Sequence, residues 1–155
     1  SDTIYVAQAG LAMARLYMDQ NRDQDAADAL RGVVDGNGDD ELKGVARLRL
    51  ARIYLYQDKA EEVVNLLTGE EGDAFSVVFG EVLGDAYTML GRTAEAADAY
   101  QKVLMNPLSQ GAVDQQLVQW KALDLPEVEL VADEAAEPET EEAVEADATE
   151  PEDAE

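Results

Sequence analysis

Cysteine and histidine are both absent from the 155 residues. Without cysteine no disulfide can form, and thiol usage cannot distinguish an oxidising compartment from a reducing one. Without either residue, a zinc site, a Cys/His nucleophile pair and a histidine general base are excluded. Serine occurs only at Ser1, Ser76 and Ser109, never inside a Gly-x-Ser-x-Gly elbow. No apolar run approaches the roughly 20 residues that span a bilayer. The chain opens directly on a helix-forming segment, as expected of a piece whose targeting or anchoring sequence has been removed.

Basic residues are scarce as well: 11 Lys and Arg stand against 35 Asp and Glu, for a net charge of −24. Residues 124–155 hold 15 of the acids and none of the bases. Nucleic-acid phosphates and anionic lipid headgroups would repel such a chain, so direct nucleic-acid binding is not expected.

What is present is helical. Apolar residues recur at helical spacing, and strand-like alternation is missing, so the fold expected is all-α. Ser1, Asp2 and Thr3 can cap a first helix from about Ile4 to Gln20. A second runs from Asp23 to Val34, and a third from Asp40 to Tyr56 with Asp39 or Asp40 at its start. The fourth covers Lys59 to Leu67. The fifth is capped by Asp73, reaches Leu90 and is ended by Gly91. The sixth covers 93–104 and a seventh 109–123.

The segments "MARLYMDQNRDQDAADAL", "LARIYLYQDKAEEVVNLL" and "LGDAYTMLGRTAEAADAY" align without a gap. Ala14, Ala51 and Gly84 share one column, Tyr17, Tyr54 and Tyr87 a second, and Ala26, Val63 and Ala96 a third. Columns one and three are equidistant from the turn, which puts small side chains where paired helices approach most closely. The tyrosines lie three residues from the first column, on nearly the same face, where each ring can wedge between helices while its hydroxyl finds a polar partner.

This pattern resembles the tetratricopeptide repeat, a helix pair with Leu-Gly/Ala-x-x-Tyr in its first helix and Ala…Phe/Tyr in its second. Leu83, Gly84, Tyr87, Gly91, Ala96, Tyr100 and Pro107 match in the third copy. Asp58 takes the turn-glycine place in the second copy and Asn21 in the first. One hairpin cannot bury its own apolar face, so several must stack. The expected organisation is a solenoid of three helix pairs over 1–123, with repeats at about 7–40, 44–76 and 77–110 and a cap at 109–123. Val113, Leu117, Val118, Trp120 and Leu123 give the cap its apolar positions. An acidic tail at 124–155, rich in Pro and acids and without aromatics, is expected to be disordered. It reads as a solvating tail, or as an arm that competes for basic segments of a partner.

Two constellations invite chemistry. "DGNGDDELKGVA" places Asp35, Asn37 and Asp39 like a calcium loop, but its sixth and twelfth places are Asp40 and Ala46 where an EF-hand needs Gly and Glu, so it reads as a turn and a helix cap. "ELKGVARLRLARIY" gathers Arg47, Arg49 and Arg52 on one helix. Pairing with Asp85 and Glu81 of the next helix is one reading of that cluster. The resemblance implies another, in which first helices line a concave groove formed by Leu11, Arg15, Met18, Leu48, Arg52, Leu55, Tyr56, Glu81, Asp85 and Met89. Such a mixture suits adaptable peptide binding. It departs from the carboxylate clamp of some co-chaperone repeats, because Leu11 stands where that clamp has lysine. No phosphate loop and no paired catalytic carboxylates are recognisable, so no catalytic role, no cofactor and no metal are expected.

The opening "SDTIYVAQAGLAMARLYMDQNRDQDAADALRGVV", then "DDELKGVARLRLARIYLYQDKAEEVVNLL", then "FGEVLGDAYTMLGRTAEAADAYQKVL" is similar to the ancillary subunit of the bacterial Sec translocon, the YfgM-like family. That resemblance implies an N-terminal inner-membrane anchor absent from this chain, with a repeat domain in the periplasm. It also implies translocon subunits, a membrane-anchored periplasmic chaperone and exported clients as partners. The acidic tail is not expected in that family. The alternatives are a scaffold of another envelope complex or of a cytosolic one.

Overall fold

Three turns set the architecture, and each is closed by the carbonyl of a column tyrosine. In the computed structural model, which describes residues 2–70 and 74–127, the N–H groups of Arg22, Lys59 and Arg92 donate to the carbonyls of Tyr17, Tyr54 and Tyr87 at 2.8, 2.8 and 2.9 Å. One residue earlier, the N–H groups of Asn21, Asp58 and Gly91 donate to Met18, Leu55 and Thr88. That pair of bonds is the Schellman ending of a helix, which requires a left-handed residue. Asn21, Asp58 and Gly91 have φ of 56, 58 and 70°. The same turn is thus made three times with three different residues. A basic side chain follows each of them and lies over the tyrosine ring: Arg22 at 4.5 Å, Lys59 at 5.9 Å and Arg92 at 4.8 Å from the ring centroid. Such cation–π contacts are worth about 0.5–1 kcal/mol where exposed.

Asp58 carries a side chain in a conformation that glycine adopts without steric cost. Asp58→Gly should therefore stabilise the protein by about 0.5 kcal/mol and Asp58→Ala destabilise it by about 1 kcal/mol. Urea midpoints of the two variants check both signs.

Helices alternate along the chain as α1 (Asp2–Asp19), α2 (Asp23–Val34), α3 (Asp40–Tyr56), α4 (Ala60–Leu67), α5 (Ser76–Met89), α6 (Thr93–Met105), α7 (Ser109–Ala112) and α8 (Gln115–Leu123). No strand occurs among the described residues. Each helix packs on its successor from α1 to α6, α1 packs on α3 and α3 on α5, and α8 closes against α6. This is the nearest-neighbour stacking of a helical-repeat solenoid.

The small columns lie at the helix crossings: Ala14, Ala51 and Gly84 are buried, and so are Ala26, Val63 and Ala96. Sixteen residues after the first column stand Leu30, Leu67 and Tyr100, all fully buried. Where Tyr replaces Leu, Gly replaces Ala. A Cβ on Gly84 would clash with the edge of the Tyr100 ring, against Cδ1, Cε1 and Cζ. A second correspondence lies one turn further out. Gly10 faces Val33 and Gly80 faces Val103, whereas the equivalent pair in the middle repeat is Arg47 and Glu70, joined by a salt bridge of 3.0 Å. The middle repeat ends its second helix at Leu67, one turn earlier than its neighbours, and the ion pair takes the place of the missing turn.

Some expectations change. Helix α5 starts at Ser76, directly after Phe75. Asp73, expected to cap it, lies outside the described residues, as does Ser1. Instead of one capping helix over 109–123 there are two. Val113 is extended, with φ −139° and ψ 162°. The Asp114 side chain then accepts from the Leu117 N–H at 3.1 Å and starts α8 afresh. A helical apolar spacing runs through this break, which is why the sequence reads as continuous. Asp39 caps α3 as expected, accepting from the Glu41 N–H at 2.8 Å. Of the acidic tail, residues 128–155 lie outside the described part.

Candidate functional site: an arginine-lined groove

Positions 49, 52, 53 and 56 of α3 fall on one helical face, since residues three and four apart are neighbours on a helix. Opposite them stand Ala14, Arg15 and Met18 of α1. These residues, with Leu30 of α2 beneath, line a groove of about 540 Å³. Its floor is the apolar Ala14, Leu30 and Ile53, all buried, and its walls are the exposed Arg15, Arg49, Arg52, Met18 and Tyr56.

The arginines are electrostatically uncommitted. Arg22, Arg31, Arg47 and Arg92 each pair with a carboxylate, namely Asp25, Asp28, Glu70 and Glu95. Among the described residues no carboxylate pairs with Arg15, Arg49 or Arg52. Three of the seven arginines thus have no acid partner among the described residues, in a chain with a more than threefold excess of acids, and all three line one groove. Guanidinium forks of this kind bind carboxylates bidentately, and Met and Tyr supply adaptable apolar contact. The arrangement fits an acidic peptide with apolar side chains. It offers no nucleophile or general base.

The expected groove residues divide. Arg15, Met18, Arg52 and Tyr56 come together here. Leu11 does not: it is buried in the core, one turn before Ala14 on the face of α1 that meets α2 and α3. Leu48 is half-buried and packs against that core. Leu55, Asp85 and Met89 line a different cavity of about 340 Å³, with Thr88, Tyr100, Lys121, Asp124 and Leu125.

That second cavity is where α8 meets α5. The Lys121 ammonium donates to Glu81 Oε1 at 2.9 Å and to Asp85 Oδ2 at 2.8 Å. Tyr100 donates its hydroxyl to the other Asp85 oxygen at 2.7 Å. Burial opposes the charge on Lys121, but its bonds to Asp85 and Glu81 outweigh that and hold its pKa above the usual lysine value. Burial also raises the Tyr100 hydroxyl well above the usual tyrosine range, against a bond from Thr88 and together with the Asp85 charge. Pairing of the α3 arginines with Asp85 and Glu81 is therefore corrected: Lys121 takes both acids, Arg47 takes Glu70, and Arg49 and Arg52 face the groove. The groove between α1 and α3 is lined by residues of α1, α2 and α3, whereas at α5 Lys121 of α8 occupies Glu81 and Asp85.

Arg49 and the floor residue Ile53 were not on the expected list. The signal for Arg49 lay in its spacing of three from Arg52, which puts both on one face. Lys121 had no local signal, because its partners lie 36 and 40 residues away.

Among the described residues no group of three or more acids is placed to hold a metal ion, and no described helix is long and apolar enough to cross a membrane. The family model described as a tetratricopeptide repeat-like domain matches residues 1–127. The ancillary SecYEG translocon subunit of Escherichia coli (strain K12) is 28% identical over 97 residues, covering 63% of this chain and 47% of that protein. The chain thus spans about half the length of this curated relative. No solved structure matches.

Proposed function

The chain belongs to the tetratricopeptide repeat-like family, and from that premise we propose that it is a non-catalytic protein-interaction module that acts at the Sec translocon, on the periplasmic side of the bacterial inner membrane. It takes up acidic, apolar-flanked segments of partner proteins between α1 and α3 and assists the hand-over of exported proteins to a membrane-anchored chaperone. The observation that carries the binding role is the meeting of three unpaired arginines over an apolar floor. Support for the translocon comes from the likeness to the ancillary SecYEG subunit.

The test has two parts. The complete reading frame is tagged at its native locus, crosslinked in gently solubilised membranes, and its co-purifying proteins identified. Recovery of translocon subunits and a membrane-tethered chaperone supports the reading, while recovery with an unrelated envelope or cytosolic complex sinks the translocon role and leaves a scaffold. In the same cells, Arg15→Glu with Arg52→Glu should reduce partner recovery at least tenfold, on the order of 1.4 kcal/mol. Thermal midpoint should stay within a few degrees, because both side chains are exposed. Full recovery with the folded double variant removes the groove from the proposal.

A further inference from the structure

An uncommitted cluster of three arginines in a strongly acidic protein raises the question of what neutralises it. The six bases Arg22, Arg31, Arg47, Arg92, Lys102 and Lys121 already have carboxylate partners. Of the five other bases, Lys59 lies over the Tyr54 ring and Lys43 lines a separate cavity, whereas Arg15, Arg49 and Arg52 share one groove, so positive charge without a described partner gathers there and attracts opposite charge.

The largest store of uncompensated negative charge in the chain is residues 128–155, with 13 acids and no base. Where that segment departs from the described structure is equally informative. Leu125 lines the cavity that also contains Leu55, and Leu55 is the neighbour of Tyr56 and three residues from Arg52 on α3. Glu127, the last described residue, follows two positions later. The described residues thus end two positions beyond a cavity that shares α3 with the groove. The 28 residues of the acidic segment could extend to about 90 Å, many times the 10–12 Å width of a helix. A tethered ligand of such length acts at an effective concentration on the order of millimolar.

Within it, "EEAVEAD" at 141–147 combines the two chemistries the groove offers. Glu141, Glu142 and Glu145 supply carboxylates for the guanidinium forks, and Val144 supplies an apolar side chain for Met18 and Tyr56. We propose that residues 141–147 of this same chain dock in the Arg15–Arg49–Arg52 groove and hold it against partner segments, a built-in competitor that rests on the reading of the groove as a peptide site. Partners then bind by displacing it, and their apparent affinity is lowered by the fraction of time the groove is filled.

The experiment uses the full chain, whose lack of cysteine lets Thr149→Cys carry a single nitroxide. Amide signals of Arg15, Met18, Arg52 and Tyr56 should broaden severalfold more than those on the exposed face of α6, and the excess should vanish in Arg15→Gln/Arg49→Gln/Arg52→Gln. Groove signals no broader than those of α6, or broadening that survives loss of the arginines, overturns the proposal. A second readout uses a labelled peptide of residues 133–155. It should bind about tenfold more tightly to a full chain whose own acids in that segment are changed to Gln and Asn than to the native chain. Equal affinities overturn the competition. The two readings fail separately: docking without an effect of Arg15→Glu/Arg52→Glu on partner recovery removes the partner groove, and loss of recovery without docking removes only the competitor.

Discussion

Gly84→Ala should cost about 3 kcal/mol and lower the thermal midpoint by roughly 12 °C, an effect large for a single methyl group. The added Cβ has nowhere to go. It meets the Tyr100 ring across its Cδ1–Cζ edge, and that ring is 1% exposed, closed in by the core around it. Retreat is blocked at the other end too, because the hydroxyl donates to Asp85 at 2.7 Å. The neighbouring repeats supply the remedy. They place Ala opposite Leu at the equivalent pairs, Ala14 with Leu30 and Ala51 with Leu67, all buried. Gly84→Ala combined with Tyr100→Leu should therefore recover more than 1 kcal/mol of what the two single changes lose in sum. Calorimetric or circular-dichroism melts of the four proteins measure this coupling. A strictly additive cycle would show that the two positions do not constrain one another, and the repeat register would fall with it.

Lys121→Met should be the second most damaging change, at roughly 2 kcal/mol. Replacing the ammonium with an apolar group leaves Glu81 and Asp85 facing one another one helical turn apart with no cation between them. Breaking a fully buried pair costs about 3–5 kcal/mol. The Lys121, Glu81 and Asp85 side chains keep 26, 17 and 29% of their exposure, so the figure is scaled down for partial solvation. The damage should be local at first. Val118 (buried against α6), Ala122 and Lys121 tie α8 down, so amide exchange in α8 should quicken well before that of α1–α4. Adding Glu81→Gln and Asp85→Asn to Lys121→Met should restore most of the loss, since the penalty comes from unpaired charge. The pH dependence has a definite sign. The folded lysine pKa is raised, so its contribution is complete below the ordinary lysine value and fades as pH rises through the folded one. A urea titration between pH 9 and about 11.5 should show a steeper decline for the native protein than for Lys121→Met.

Helix boundaries were readable where one residue makes the boundary. Asp39 caps α3, and left-handed residues close three helices, so α2 and α3 lie where periodicity and punctuation together place them. The small columns and the tyrosine column were equally readable, because a contact repeated three times leaves three coincident marks in the sequence. The basic column of Arg22, Lys59 and Arg92 is marked in the same way, although in isolation each looks like an ordinary turn charge. What was not readable was pairwise and distant. Apolar spacing cannot reveal that Val113 turns extended, nor that Lys121 swings to α5 and takes the acids assigned to the α3 arginines. Leu11 shows the same limit. Its position in a family pattern faces a groove, but in this chain the side chain is long, apolar and one turn from Ala14, and burial wins.

The recurring turn has one more consequence, for how such a molecule can change length. At 21–22, 58–59 and 91–92 the chain makes the same two backbone bonds and lays a cation over the same ring, although the residues that do it differ. A segment cut at one of these points and spliced at another would meet matching backbone on both sides. Whole units could be duplicated or deleted there without inventing a new loop, but a splice at 58–59 also parts Arg47 from Glu70, a strut that neither neighbouring unit can replace. The solenoid is thus built from interchangeable parts joined at its turns, with one bespoke brace in the middle.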